Sequence, residues 1–456
     1  MALTPTRALL LTPEDDVAAV LGETLVNDEV AVALSTSGEL RIQLKTRSAV
    51  PFGHKIAIRP IANGGKIIRY GYPIGVATMD IAEGEHVHSH NMRSLLSIPK
   101  KDENDERVLC SASWMRDLIT RCLKAVDANA DVAEAMADAL TEAHLRGVET
   151  HGLRRLRPYI SRIKSGGVDA RVFPDVTRSQ SVLHIDGRNG VGHFVAMQAA
   201  KAVSEAAGQS GIAVALVKNS NHFGFAGYYA TIIAQAGQIG IVTSNGQVCV
   251  APEGGTKSLL SNNPLAIAAP TGQPHAFVEL DLATSVTSRA NVVEAAKRGT
   301  RIPLGWAQDR DGKATRNPRA ALEGSLLSLA GNRGFALLFA LEAITGVLSG
   351  GAYGDQVSSK EASPNAPERT AHTLIAIDLK SALGVEAYTS RLDDLIARLL
   401  ALPTNVDASR VRYPGQRRWL LRERRLRDGI PLAAADSKDI IALARELGVP
   451  ATKMER

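Results

Sequence analysis

Residues 212–224 read Ile-Ala-Val-Ala-Leu-Val-Lys-Asn-Ser-Asn-His-Phe-Gly. The apolar run Ile212–Val217 reads as a buried strand, and the polar residues after it place His222 in a loop at the strand's end. A helical pattern from about Ala196 to Ala207 leads into this strand. A second, from about Gly227 to Ala236, leads into another apolar run, Ile239–Thr243. Helices alternating with short buried strands predict a layered α/β domain.

The same texture extends towards the N-terminus as far as a charged break. Leu118, Ile119, Cys122, Leu123 and Val126 fall at helical spacing. A second helix is expected to start with Asp131 as N-cap, to place Val132, Met136, Ala137 and Leu140 on one face, and to stop at Gly147. The stretch Pro99-Lys-Lys-Asp-Glu-Asn-Asp-Glu106 carries six charges and no apolar side chain after the proline, so it reads as an interdomain linker. Before it the texture is β-rich. Val30–Leu34 and Leu40–Leu44 flank Ser-Thr-Ser-Gly as a hairpin, and further short runs follow at Lys55–Ile58, Lys66–Arg69 and His86–His90. The expected organisation is a small β-rich domain over 1–98, a linker over 99–107 and an α/β domain over 108–456. Weak periodicity in 351–370 predicts an exposed loop.

Composition narrows the class. The 456 residues carry 53 Lys+Arg against 47 Asp+Glu, a charge of 53 − 47 = +6, with 45% apolar residues. These are globular values. Only 19 aromatic residues (8 Phe, 8 Tyr, 3 Trp) imply an aliphatic core and too few rings for a base-stacking surface, so nucleic-acid binding is disfavoured. No apolar window is long enough to span a bilayer and no signal peptide is evident. The three cysteines, Cys110, Cys122 and Cys249, form no paired motif, which fits the cytoplasm. Cys249 and Trp306 read as packing residues. The C-terminal run Gln416–Arg427 holds six arginines and reads as a solvated helix face with Trp419, Leu420 and Leu426 turned inward.

Three places carry chemistry. Arg146-Gly-Val-Glu-Thr-His151-Gly-Leu-Arg-Arg155 follows a helix and sets a histidine and arginines beside a glycine break, where guanidinium forks can hold a carboxylate. His222 is placed as an acid/base would be. In His86-Val-His-Ser-His90, a strand would line up His86, His88 and His90 on one face, able to hold a divalent metal or an anion. Gly187-Arg-Asn-Gly190-Val-Gly192 has the wrong spacing for a dinucleotide fingerprint, and no P-loop, HExxH or nucleophile elbow is present.

Two resemblances follow from ordered motifs. Asp186-Gly187, Gly190-Val-Gly192, Asn219-Ser-Asn-His222-Phe-Gly224, Asn262-Asn-Pro264, Asp281-Leu-Ala-Thr-Ser285, Pro303-Leu-Gly-Trp-Ala307, Asp311-Gly312, Gly331-Asn-Arg-Gly-Phe335 and Tyr413-Pro-Gly-Gln416 resemble the type II malate/L-lactate dehydrogenase family over about 111–450. Pro51-Phe-Gly-His54, Ile68-Arg-Tyr-Gly71, Ile74-Gly75-Val-Ala77 and Gly84-Glu-His-Val-His-Ser-His-Asn91 resemble the SAF-like domain of altronate and galactarate dehydratases and of the sulfolactate sulfo-lyase small subunit, over about 12–92. The resemblances imply a SAF-like domain followed by a non-Rossmann nicotinamide-binding α/β domain. They imply NAD or NADP as cofactor, a small anionic hydroxy or oxo acid as substrate, a homodimer, and a lyase large subunit as a further partner.

By residue-for-residue match, His222 is the acid/base. Thr150, His151, Arg155 and Tyr159 belong to the substrate pocket. Asp281, Ala283, Asn332, Arg333, Pro414 and Gly415 fall where the family contacts its cofactor. His54, His86, His88 and His90 are ligand candidates in the first domain. The chain departs from the family at His144-Leu-Arg-Gly-Val-Glu-Thr150, at Arg333, where lysine is usual, and at Gln416, where glutamate is usual. The expected activity is interconversion of a 2-hydroxy acid and its 2-oxo acid. The alternatives are a component of a hydroxy-acid or sulfolactate lyase, or a non-catalytic sugar-acid binding protein.

Overall fold

The computed structural model describes residues 6–10, 12–34, 39–69, 72–94, 107–273, 276–359, 363–403 and 411–450. Two compact units divide the chain. One covers 1–105 with 403–411, and the other covers 106–402 and 412–456. The expected linker lies outside the described residues up to 106. Arg107 already belongs to the second unit, in a strand, Arg107–Cys110, that pairs with Ile430–Ala433.

The first unit is β-rich, as its turn spacing predicts. Glu29–Leu34 and Leu40–Lys45 form the antiparallel pair, with Val30 opposite Leu44 and Val32 opposite Ile42; the expected turn, 35–38, lies outside the described residues. Alternation along Glu29–Leu34 turns Val30, Val32 and Leu34 into an aliphatic core with Ala8, Ala18, Val20 and Ile56. A three-stranded sheet, Lys66–Arg69, Tyr72–Ala77 and Met92–Ser94, supplies a second core around Ile67, Ile74 and Ile81. The strand expected over His86–His90 is shorter: it ends at Val87. Asn91 ends it, because its Oδ1 accepts from His88 N–H (3.0 Å) and its Nδ2 donates to His86 O (2.9 Å), folding 88–91 into a turn.

The second unit is layered α/β. Helix α1, Ala112–Lys124, is capped by Ser111, whose Oγ accepts from Trp114 N–H (3.1 Å), and it buries Leu118, Ile119, Cys122 and Leu123. Helix α2, Ala130–Leu145, starts one residue before the expected cap. Asn129 is its N-cap, and Asp131 lies in the first turn, where its charge suits the helix dipole. Two 3₁₀ turns, Glu149–His151 and Leu153–Arg155, lead into α3, Leu156–Lys164. A seven-stranded sheet follows, in the order Asp175–Ser179, Val182–Asp186, Ile212–Ser220, Thr370–Asp378, Gln238–Ser244, Leu265–Pro270, Phe277–Leu282. Helices α4, Gly192–Ser210, and α5, Ala226–Gln235, pack on it through alanines and branched aliphatics, among them Ala196, Ala199, Ala200, Val203, Ala230 and Ile233.

This sheet is not doubly wound. Thr370–Asp378 lies antiparallel between Ile212–Ser220 and Gln238–Ser244, and only the pair Val182–Asp186 and Ile212–Ser220 runs parallel. A Gly-rich first turn has no counterpart in such a layout, which accounts for the missing fingerprint.

The C-terminal arginine helix, Gln416–Asp428, reverses part of the sequence reading. Trp419 is buried, but Leu420 and Leu426 are about half exposed (57% and 50%). The inward face is instead built from Arg418, Arg422 and Arg425, at i, i+4 and i+7, because carboxylates wait for them. Arg418 Nη1 donates to Glu279 (2.8 Å) and Asp281 (2.9 Å), Arg422 Nη2 to Glu142 (2.7 Å) and Arg425 Nη2 to Glu149 (2.7 Å). The 351–370 segment is irregular as expected but not wholly exposed: Ala352, Val357 and Glu368 are buried.

Gly192, at the start of α4, lies against the loop that carries His222. A Cβ there would collide with the carbonyl oxygens of Asn221 and His222, both rigid backbone atoms. Gly192→Ala is expected to cost about 1–3 kcal/mol by overpacking and to lower the unfolding midpoint by several degrees in a thermal melt.

Candidate active site

The strand Ile212–Ser220 loses register with Thr370–Asp378 between Val217 and Ser220. Asn219 there adopts φ +53, and its Nδ2 donates to Asp186 Oδ2 (2.9 Å). This irregularity turns the chain out of the sheet and aims the next residues into a pocket, a common use of bulges beside active sites. Asn221 pins the loop from one side: its Nδ2 donates to Asn189 O (3.1 Å) and Gly190 O (2.9 Å). Glu368 pins it from the other, with Oε2 accepting from His222 N–H (3.0 Å). Arg162 Nη2 donates to the Gly167 and Ala366 carbonyls (3.0 Å each), and its Nε lies 3.5 Å from Glu368, so the buried acid has a cation beside it.

Three sequence-predicted residues meet around His222. Its Nδ1 is 2.6 Å from Tyr159 Oη and accepts from Gly224 N–H (3.3 Å). The His151 ring lies parallel to it, with centroids 5.8 Å apart, and Thr150 Oγ1 is 3.1 Å from His151 Nδ1. Burial pushes the Tyr159 phenol well above its ordinary range, so it stays protonated. Arg155 is held to the same turn by Nε donating to Thr150 O (2.9 Å), and among the described residues its two Nη groups have no partner. The other arginines of this motif are committed elsewhere: Arg154 to Asp436 (2.8 Å), and Arg146 to Glu142 (3.0 Å) and Thr231 (3.0 Å). At the first departure from the usual motif, buried His144 accepts from Leu153 N–H (3.0 Å).

The cofactor candidates form two neighbouring groups. Asp281 bonds Arg418, while Pro414 O accepts from Glu279 N–H (3.0 Å) and Gly415, with φ +91, leaves no room for a side chain against Glu279. This group lies beside Gly227 of α5, whose added Cβ would sit 3.1 Å from Asp281 Cβ. Further along the strand, Ala283 precedes Thr284, whose O accepts from Leu329 N–H (2.8 Å). That links it to the turn that opens the helix Asn332–Glu342. Gly331, with φ +62, precedes this helix without a side-chain cap, so Asn332 and Arg333 stand at a helix N-terminus suited to an anion.

In the first unit, four imidazoles gather but do not converge on a common point. His54 Nδ1 is 2.9 Å from His86 Nε2, and the His54 and His88 rings stack at 4.9 Å. Among the described residues, no three His, Cys, Asp or Glu side chains are placed to hold a metal ion. The divalent metal expected at His86, His88 and His90 therefore finds no coordination sphere among the described residues, and His86 Nε2 faces His54 instead. Among the described residues no helix is long and apolar enough to cross a membrane.

The second unit is similar to known proteins. Residues 110–441 match the malate/L-lactate dehydrogenase family, nearly the whole second unit. The chain belongs to that family. Malate dehydrogenase of Pyrococcus abyssi is 34% identical over 359 residues, 76% of this chain and 97% of that protein. The (2R)-3-sulfolactate dehydrogenase (NADP(+)) of Chromohalobacter salexigens is 31% identical over 329 residues, 72% of this chain and 96% of that protein. The crystal structure of malate dehydrogenase from Entamoeba histolytica superposes with a TM-score of 0.72 at 26% identity, covering 76% of this chain and 99% of that one. Residues 6–95 match the SAF domain of altronate/galactarate dehydratases.

Within the dehydrogenase unit, sequence reasoning passed over Arg162, His193, Asn221 and Glu368, which line the pocket with Tyr159 and His222. Asn221 sits inside a quoted motif and could have been named from it. Glu368 sits in a loop without periodicity and gives no local signal. His193 is buried with neither ring nitrogen hydrogen-bonded among the described residues. Burial lowers its pKa to about 3, and that of His372 to about 3 and His144 to about 4, against an ordinary 6.5. The unfolded chain therefore binds these protons first. The stability they contribute is fully present above pH 6.5 and is lost as the pH falls through the folded values. Thermal melts are expected to show a steady midpoint near neutrality and a steep fall below pH 6; a flat midpoint down to pH 4 would contradict the neutral buried histidines.

Proposed function

We propose that the dehydrogenase unit interconverts a small 2-hydroxy acid and its 2-oxo acid with NAD or NADP. The observation that carries this reading is the meeting of His222, Tyr159, His151 and Thr150, with the uncommitted end of Arg155 on the same turn. The guanidinium of Arg155 holds the 2-carboxylate through a bidentate fork and so orients the carbinol carbon. His222 holds the proton exchanged with the substrate oxygen, a task suited to an imidazole. The hydrogen bond from His222 N–H to Glu368 and the Asn221 contacts hold the loop that carries that ring. The helix N-terminus at Asn332 and Arg333 fits a phosphate of the cofactor, with Asp281 on the strand Phe277–Leu282, Ala283 just after it, and the Pro414-Gly415 turn bonded to that strand. A bound nicotinamide supplies the hydride acceptor or donor.

The relatives named above act on malate and sulfolactate, which supports a small acid with a second anionic group as substrate. Exposed Leu337, Phe339, Val347 and Leu348 on and after the helix Asn332–Glu342 suit a homodimer, and three buried free cysteines suit the cytoplasm. The SAF match favours a second role for residues 6–95, docking a lyase large subunit or binding the same acid. Release of water or sulfite by the purified chain alone would instead favour the lyase reading.

In a cofactor-oxidation assay over a panel of 2-oxo acids, His222→Ala is expected to lose ~10²–10⁴-fold in kcat, the usual contribution of a positioned acid/base. A chain of residues 106–456 is expected to keep the activity of the full chain; if it is folded and inactive, the SAF unit completes the site.

A further inference from the structure

The hydrogen bonds at His222 select the nitrogen that can take a proton. A peptide N–H only donates, and Gly224 N–H donates to Nδ1 (3.3 Å). In the neutral ring Nδ1 therefore carries the lone pair and Nε2 carries the hydrogen. Tyr159 Oη lies 2.6 Å from that same Nδ1, a short O–H···N contact with the phenol as donor. The basic atom of His222 thus faces the phenol and a backbone amide.

We propose that Tyr159 is the catalytic residue that exchanges the proton with the substrate oxygen, and that His222 stores that proton behind it. This rests on the hydroxy-acid dehydrogenase reading above. In oxidation, the substrate O–H bond breaks and its proton bonds to Tyr159 Oη. The proton already on Oη moves to His222 Nδ1, which becomes imidazolium. The hydrogen on the carbinol carbon leaves with two electrons to the nicotinamide, so the substrate is oxidised and the cofactor reduced. Reduction runs the same transfers backwards.

The surroundings fit a relay rather than a phenolate. Burial and the Glu368 carboxylate keep Tyr159 protonated, against the opposing charge of Arg155. The imidazolium would lie beside the His151 ring, in a loop whose His222 N–H already bonds Glu368. His193 sits edge-on to Tyr159 at 5.0 Å and fixes the plane of the phenol.

Two measurements test this. In single-turnover reduction of a 2-oxo acid, Tyr159→Phe is expected to slow the step ~10²–10⁴-fold while the acid's Kd changes less than about threefold. In the protein without ligands, ¹⁵N-histidine NMR, with the His222 signal identified by its loss in His222→Gln, is expected to show the Nε2–H tautomer. A Tyr159→Phe variant slowed less than tenfold, or His222 found as the Nδ1–H tautomer in the wild type, overturns the relay. If Tyr159→Phe does not fold, the wild-type tautomer still decides. If no hydroxy or oxo acid turns over at all, the parent reading fails, and the tautomer reports on the relay geometry separately.

Discussion

Three carboxylates, Glu142, Glu279 and Asp281, meet three guanidiniums, Arg146, Arg418 and Arg422, between α2, the edge strand Phe277–Leu282 and the helix Gln416–Asp428. Arg146 and Glu279 have side chains almost out of solvent (3% and 0%), and the Arg146 guanidinium lies 4.3 Å above the Trp419 ring. Burial pushes Glu279 above its ordinary carboxylate range even with two cations beside it, whereas hydrogen bonds from Arg422 and Arg146 hold Glu142 below it. Such a cluster adds little over an apolar one of equal volume, yet removing one partner strands a buried charge at about 3–5 kcal/mol. It therefore dictates register: each of the three elements has one position in which all six charges are matched.

The placement of the site follows from that register. α2 runs directly into the two 3₁₀ turns that carry Thr150, His151 and Arg155, and Arg425 ties these turns to the C-terminal helix through Glu149 and the His144 carbonyl. The Pro414-Gly415 turn begins the same helix and bonds the strand that carries Asp281. The turns that carry the substrate-pocket candidates and one group of cofactor candidates are thus tethered to one ionic cluster, although about 260 residues separate them in the chain. The His222 loop reaches the same region from the sheet, held by Asn221, Glu368 and the close approach of Gly192.

Much of this was legible from local pattern. The aliphatic run at Ile212–Val217 became the expected strand, the helices near 196–207 and 227–236 became α4 and α5, and the hairpin around 35–38 has its predicted flanking strands. These outcomes depend on periodicity and on where polar residues interrupt it, both of which are local. The misreadings share one cause. Leu420 and Leu426 read as inward because apolar side chains normally are, and a strand reads through His86–His90 because the alternation there is unbroken. In each case a distant or non-apolar partner decided otherwise: Glu142, Glu149, Glu279 and Asp281 for the arginine face, and the Asn91 side chain for the strand.

The sequence by itself determined the β-rich and α/β classes and the family, and it singled out His222, His151, Arg155 and Tyr159 as site candidates, because those readings rest on order and spacing along one chain. Only the tertiary structure decided which of the arginines stay available. Arg146 and Arg154 look like Arg155 in the sequence, and only the arrival of Glu142, Glu279 and Asp436 separates them. It also decided that Glu368 supports the His222 loop and that Nδ1 of His222 faces Tyr159. Those outcomes depend on atoms brought together from 63 to 146 positions apart, and a hydrogen bond requires a distance and an angle that no linear spacing specifies.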